Sequence, residues 1–155
     1  MKSLEKHIVQ YGVKTSLGLI AFFFVMKLLG LIHITELRAL NAFIMFTGAF
    51  LAIKRFRDGD FQYKFNYLAG IGTGMAVGMI TAILFSFFVV VYLFLDPVFT
   101  TNILADFPDN TFMNQLTLAM VIFIEAMGSS FIFSFVSMQW LKDDKSVTIS
   151  KPSHS

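Results

Sequence analysis

The chain has 155 residues, of which 56% are hydrophobic and 14% are charged, with a formal net charge of +2 and a mean hydropathy of +0.72. A soluble domain carries about 25% charged residues, so these values exclude an ordinary soluble protein and favour one small integral membrane domain. The absence of cysteine excludes disulfides and thiolate chemistry, and the small net charge gives no basis for binding nucleic acid.

The first apolar run is expected over residues 15–34, after a polar cytoplasmic leader at 1–14. A basic leader before an apolar run is also found in secretory signal peptides. This run is too long for a signal peptide, Lys27 interrupts it, and no small-residue cleavage site follows. It is therefore predicted to be an uncleaved first transmembrane helix.

Two further apolar runs follow at about 37–53 and 67–95. The first of them is at the short end of the spanning range. The second is longer than a bilayer needs, so it should tilt or project. Asp96-Pro97 is predicted to end it, because proline disfavours a helical conformation in the residue before it.

The fourth apolar run, at about 116–140, follows a predicted acidic loop at 98–114 and precedes a tail at 142–155 that is predicted to be disordered and cytoplasmic. We therefore predict an all-α polytopic membrane protein whose four-helix transmembrane domain occupies residues 15–141. No second domain is expected.

The distribution of Lys and Arg predicts the orientation of the chain. With the N-terminus in the cytoplasm, ten basic residues lie on the inside and only Arg38 lies on the outside. Cytoplasmic loops carry an excess of Lys and Arg. Both termini are therefore expected in the cytoplasm, and the protein is expected to cross the membrane several times.

Lys27 and Glu125 are the ionisable residues inside the apolar runs. Counted from the middle of each predicted helix, they lie about 4–5 Å and 3–4 Å outward of the midplane at the usual helical rise. A pair at one depth can neutralise itself inside a bundle, whereas intramembrane charges also mark proton or ion sites. Snorkelling of Lys27 and pairing with another subunit remain open. Asn41 and Ser86 fall in the same half of the membrane and are candidate supporting groups.

Small residues recur every four positions along the third run, at Gly70, Gly74, Gly78, Ala82 and Ser86, and a shorter series on the fourth run consists of Ala126, Ser130 and Ser134. Small residues let membrane helices approach closely. These series predict tight helix packing, either within one chain or between the two chains of a homodimer.

The basic cluster of Lys54, Arg55 and Arg57 could bind the head groups of anionic lipids, or it could simply follow the positive-inside rule. The three histidines are scattered and show no metal-ligand spacing, and no nucleophile–base pair or phosphate-binding loop is present. We therefore expect no metal, no cofactor and no enzymatic activity.

Residues 48–58 carry a resemblance to a known group. An apolar helix with a late glycine, followed by Lys54-Arg55-Phe56-Arg57-Asp58 and a glycine-rich third helix, resembles a family of four-helix membrane proteins of unknown function that is common in Bacteroidota. The chain departs from the family pattern at Phe65-Asn66-Tyr67. The resemblance implies a multi-pass protein of the bacterial inner (plasma) membrane with this topology, and it transfers no functional residues.

Two functions are compatible with this sequence. The first is a non-enzymatic structural or accessory subunit that acts through helix–helix contacts. Its expected surroundings are membrane lipids and either further copies of the chain or another membrane protein. The second is a small oligomeric transporter or channel-like protein that uses the Glu125/Lys27 site. A water-accessible path to Glu125 would distinguish the second from the first.

Overall fold

A computed structural model describes residues 4–30, 38–59, 65–105 and 114–146, and the regular structure in these parts of the chain is helical. The helices are α1 (Leu4–Leu28), α2 (Arg38–Asp58), α3 (Tyr67–Leu95), α4 (Pro97–Ala105) and α5 (Gln115–Ser146). Four of them, all but α4, are long and apolar enough to cross a membrane. The predicted all-α class is confirmed, and so is the expectation of four helices long and apolar enough to cross a membrane.

The long helices alternate in direction along the chain. Near the middle of α1, the Gly12 carbonyl accepts a hydrogen bond from the Thr81 hydroxyl at 3.1 Å, and near its end Lys27 contacts Asp96 just after α3. These two contacts make α1 and α3 parallel. The contacts between α3 and α5 run in the opposite order, as those between antiparallel helices do.

Helix α3 occupies the centre of the bundle. It packs against α1, α2 and α5, and its most extensive contact is with α5. Helix α2 also contacts the other three long helices, whereas α1 and α5 do not pack extensively against each other. The bundle is therefore a rhombus in cross-section, with α1 and α5 on opposite sides of the central α2–α3 pair.

The small residues of α3 make the close contact with α5. Gly74 and Gly78 are buried, and a Cβ atom added at either position would overlap the side chain of Ser134 or Ser130. The Ser134 hydroxyl donates to the Ser130 carbonyl at 2.7 Å, so the polar group of this buried serine is satisfied within its own helix. Glycine on one helix and serine on the other allow the two backbones to approach closely.

The start of α1 differs from the prediction. The helix begins at Leu4, within the segment that was expected to be a polar leader. Charged residues such as Glu5 and Lys6 are good helix formers, and 4–14 contains no proline. The polar residues at 4–14 therefore lie outside the apolar pattern, but the helix continues through them. The predicted tail is also partly helical, since α5 continues to Ser146, whereas residues 147–155 lie outside the described parts.

Helix α4 lies in the segment that was predicted to be a loop. Its first residue is Pro97, and the Asp96 carboxylate accepts a hydrogen bond from the Phe99 backbone N–H at 3.1 Å. An acidic residue at the N-cap followed by proline is a common way to begin a helix. The dipeptide that ends α3 thus also starts α4.

The close packing of α3 and α5 predicts different effects on stability when alanine replaces two glycines of α3. Alanine at Gly78 would push against Ser130, whereas a Cβ at Gly72 meets no atom within 4 Å. Gly78→Ala should lower the free energy of unfolding in detergent by about 1–3 kcal/mol, because overpacking strains a filled interface. Gly72→Ala should leave it unchanged or raise it by up to about 1 kcal/mol, because alanine favours helix. Equal effects would show that the glycine face does not contact α5.

Candidate functional site

An ion pair with several partners lies at the end of the bundle where α1 and α3 finish. The Lys27 ammonium donates to the Asp96 carboxylate at 2.9 Å and also to the Tyr92 hydroxyl. The Tyr92 hydroxyl in turn lies 3.2 Å from the same Asp96 oxygen. Both side chains of the ion pair are partly exposed, at 41% for Lys27 and 30% for Asp96. Lysine, tyrosine and aspartate therefore form one closed cluster.

Aromatic rings surround this cluster. The Tyr92 ring lies edge-on to Phe23 and to Phe99, with centroid separations of 4.9 Å and 5.4 Å. The Lys27 nitrogen lies 4.7 Å from the centroid of the Tyr92 ring, within the range of cation–π attraction. Since Phe99 belongs to α4, these contacts attach α4 to the ends of α1 and α3.

Asp96 is held in its ionised form. The hydrogen bond from Lys27, and then the one from the Phe99 backbone N–H, lower the pKa of the Asp96 carboxyl below its ordinary value of 3.8. Both bonds are stronger to a carboxylate than to a neutral acid. The cluster is therefore a stable ion pair at neutral pH, and Asp96 is committed to Lys27 and to capping α4.

The structure gives Lys27 a different partner from the one that the sequence predicted. Lys27 bonds to Tyr92 and Asp96, and Glu125 is not among its hydrogen-bond or ion-pair partners. The depth argument failed because it began the first helix at residue 15, eleven residues after its observed start at Leu4. With α1 starting at Leu4, Lys27 lies in the last turn, about 16 Å from the helix midpoint at 1.5 Å per residue.

Glu125 lies on the outer face of α5. Glu125 is exposed, as are its neighbours Ile124 and Gly128, whereas Ala126 and Ser130 face the interior. Ser130 packs at Gly78, so Glu125 is level with the middle of α3. The carboxylate is therefore in the membrane-spanning region but on the outer surface of the bundle rather than in its centre.

Asn41 and Ser86, the two predicted supporting groups, share one level of the bundle. Ile53 of α2 packs against Gly74 of α3. Asn41 is twelve residues before Ile53, and Ser86 is twelve residues after Gly74. Because α2 and α3 are antiparallel, these two steps lead in the same direction and end at the same level of the bundle. Asn41 Oδ1 and Ser86 Oγ are buried and have no hydrogen-bond partner in the structure. Neither is bonded to Lys27, so the structure does not form the predicted four-residue cluster around that lysine.

The basic cluster divides into exposed and buried members. Lys54 and Arg55 are exposed, whereas Arg57 is 7% exposed and faces inward. Its guanidinium donates twice to the Asp58 carboxylate, at 2.7 Å and 3.2 Å, and once to the Leu141 carbonyl at 3.1 Å. Arg57 thus joins the ends of α2 and α5 and is not available to a lipid head group. Lys54 and Arg55 remain candidates for that role.

Asp96 and Tyr92 were not identified from the sequence as site residues. The pattern that could have shown them is their spacing of four residues, which places two side chains on one face of a helix or its cap. In the parts of the chain that the structure describes, no group of three His, Asp or Glu residues is arranged to hold a metal ion.

Comparisons of the chain with family models, with curated proteins and with solved structures give no match. The resemblance to the four-helix Bacteroidota family therefore stays a prediction from the residues at 48–58. No role can be transferred to this chain from a relative, and the function has to be argued from its own geometry.

The partners of Lys27 can be tested by two double-mutant cycles. Lys27→Met and Asp96→Asn should be coupled, because each leaves the other charge without its partner, whereas Lys27→Met and Glu125→Gln should have additive effects on stability. Unfolding in detergent would measure both cycles. Coupling in the Glu125 cycle and additivity in the Asp96 cycle would restore the pair predicted from sequence.

The lowered pKa of Asp96 also predicts a pH dependence. A carboxyl group whose pKa is lower in the folded state contributes stability above its ordinary pKa, here 3.8, and loses it as the pH falls through the folded value. The stability difference between the native protein and Asp96→Asn should therefore be constant at neutral pH and shrink below pH 3.8. A difference that stays constant throughout would show that Asp96 is not held ionised.

Substitutions of Arg57 and Arg55 form a matched pair of tests at the end of the bundle opposite to Lys27. Arg57→Leu should cost about 1.5–3 kcal/mol, the usual effect of losing hydrogen bonds to a charged group, because it frees the buried Leu141 carbonyl and the Asp58 carboxylate. Arg55→Leu should change stability little, because the side chain is exposed. Thermal unfolding in detergent would compare the two, and equal losses would argue against the inward position of Arg57.

Proposed function

We propose that this protein is a non-enzymatic structural or accessory subunit of the bacterial inner membrane, which acts through contacts between its outer helix faces and other membrane helices. The observation that carries this proposal is the filled α3–α5 interface. Gly70, Gly74 and Gly78 are each closed by a side chain of α5, so the main helix contact leaves no space for a passing substrate.

The distribution of charge supports the same proposal. Among the described residues, Arg57 is the one buried charged side chain, and it lies at the end of the bundle. Lys27 and Asp96 close on each other at the opposite end. The buried side chains between these ends are mainly apolar or carry a small hydroxyl group, among them Leu19, Phe85 and Ser134, and the Asn41 amide oxygen is buried with them.

The alternative function, an oligomeric transporter or channel-like protein, would have to use Glu125 and not Lys27, because Lys27 binds Asp96. Because Glu125 lies on the outer face of α5, a path that uses it would have to run between subunits. Such a path would need a partner helix across the Glu125 face. The packed interior of a single bundle favours the structural role.

The orientation proposed here follows the positive-inside rule, with both termini and the α2–α3 connection in the cytoplasm. Lys54 and Arg55 are exposed at the cytoplasmic end in this orientation, where they would meet the anionic head groups of the inner leaflet. Helix α4 would then lie at the outer surface, attached there by the Lys27 cluster.

Three single cysteines test the orientation and the closed interior together, and the chain has no native cysteine to interfere. A cysteine at the exposed Thr101 should react with an impermeant thiol reagent in intact cells. One at Gly59 should react only after permeabilisation. One at Ser134, which is 0% exposed, should react in neither state and should react fully once the protein is denatured.

The outcomes separate the two functions. Labelling of Ser134→Cys in folded protein would reveal a water-filled path through the bundle, and it would favour the channel-like alternative. If the Thr101 and Gly59 results were exchanged, the proposed orientation would be wrong, but the conclusion that the interior is closed would still hold. Ion flux through purified protein in liposomes would provide independent support for the alternative.

A further inference from the structure

Lys14 lies at the middle of the bundle rather than at its edge. The Gly12 carbonyl accepts a hydrogen bond from Thr81, and Thr81 is the central residue of α3. Lys14 is two residues farther along α1, about 3 Å beyond that level at the helical rise. Its side chain is exposed, between the exposed apolar residues Val13 and Leu17.

Glu125 lies at nearly the same level. Ser130 packs at Gly78, and Glu125 precedes Ser130 by five residues on the antiparallel α5. Glu125 is therefore level with residue 83 of α3, again about 3 Å beyond the middle on the same side. A lysine and a glutamate thus share one depth in the membrane-spanning region, and both point outward.

The two side chains lie on opposite sides of the molecule. Helices α1 and α5 each pack against α2 and α3 and do not pack extensively against each other. Copies that share one membrane and one orientation keep every residue at the same depth. Placed side by side, the α1 face of one copy therefore meets the α5 face of the next with Lys14 opposite Glu125.

We propose that the partner at the Glu125 face is a second copy of this chain, which presents its α1 face and pairs its Lys14 with Glu125. This inference rests on the proposed function and names the partner for it. Charged groups in a membrane span normally pair with one another. A carboxylate can accept several hydrogen bonds, so Glu125 can bind Lys14 of another copy and keep contacts within its own chain.

The exposed apolar residues beside the two charges also match in depth. Leu17, 59% exposed, is three residues past Lys14 on α1, and Val121, 40% exposed, is four residues before Glu125 on the antiparallel α5. Both therefore lie on the same side of the charges, about 1.5 Å apart in depth at the helical rise. These two side chains can pack together one turn away from the pair of Lys14 and Glu125.

The contact joins two different faces, so it is heterologous and extends from copy to copy until a ring closes. A two-fold dimer would instead place α1 against α1 or α5 against α5. This difference makes the proposal testable by cross-linking between copies, since each arrangement brings a different pair of positions together.

The test uses membranes that contain two differently tagged single-cysteine versions, Leu17→Cys and Val121→Cys, which keep both charges, and a short thiol cross-linker. The mixture should give a dimer that carries both tags, and either version alone should give little dimer. Phe87→Cys is the control partner for each, because Phe87 is exposed on α3 at the same depth. Dominant dimer from one version alone, equal yields in all pairings, or no dimer would each overturn the proposal.

Charge reversal tests the pair itself, with Leu17→Cys and Val121→Cys as reporters of the contact. Lys14→Glu or Glu125→Lys alone should lower the association between copies by about tenfold or more, the range measured for close charge pairs. Both reversals in one chain should restore it. Failure of restoration would overturn the pairing, whereas the labelling of Ser134→Cys decides the packed interior independently.

Discussion

The close contact between α3 and α5 is the constraint on which the bundle depends. Between helices in lipid there is no hydrophobic driving force, so association comes from packing and hydrogen bonds. Gly70, Gly74 and Gly78 of α3 remove the side chains that would hold the two helices apart, and Met138, Ser134 and Ser130 of α5 fill the space. Helix α2 packs against both members of this pair, and α1 packs against α2 and α3, so the rhombic arrangement leaves α1 and α5 on opposite sides.

Much of this fold is present in the sequence as local patterns. Long apolar runs predict membrane-spanning helices whatever their neighbours are, and the third run matches α3 at both ends, Tyr67 and Leu95. The four-residue spacing of the glycines predicts one small face, which the structure places against α5. What spacing cannot supply is the identity of the opposing helix, because that depends on the arrangement of all four helices.

The charged residues show where such reasoning fails. The depth of Lys27 was measured from an apolar run, but the helix extends beyond that run to Leu4. The error moves Lys27 from the middle of the span to its end, where Asp96 is the partner at hand. It also hides Lys14, which the apolar pattern assigned to a leader and which the Gly12–Thr81 contact places at mid-bundle. Helix bounds therefore decide which charges share a depth.

The resulting molecule keeps its charges at its ends and on its outer faces. Arg57 closes one end through Asp58 and Leu141, the Lys27 cluster closes the other end, and Lys14 and Glu125 lie outside at mid-depth. A bundle of this kind has a filled interior and polar outer contact points, as suits a protein that acts on other membrane helices rather than on a substrate within.

The contact between α3 and α5 can be measured directly in a lipid bilayer by solid-state NMR on protein labelled with ¹³C only in glycine and serine. The account predicts through-space correlations from Gly78 to Ser130 and from Gly74 to Ser134, assigned by their loss in the corresponding Ser→Ala variants. Absence of both correlations, in a sample whose helices are otherwise intact, would contradict the account.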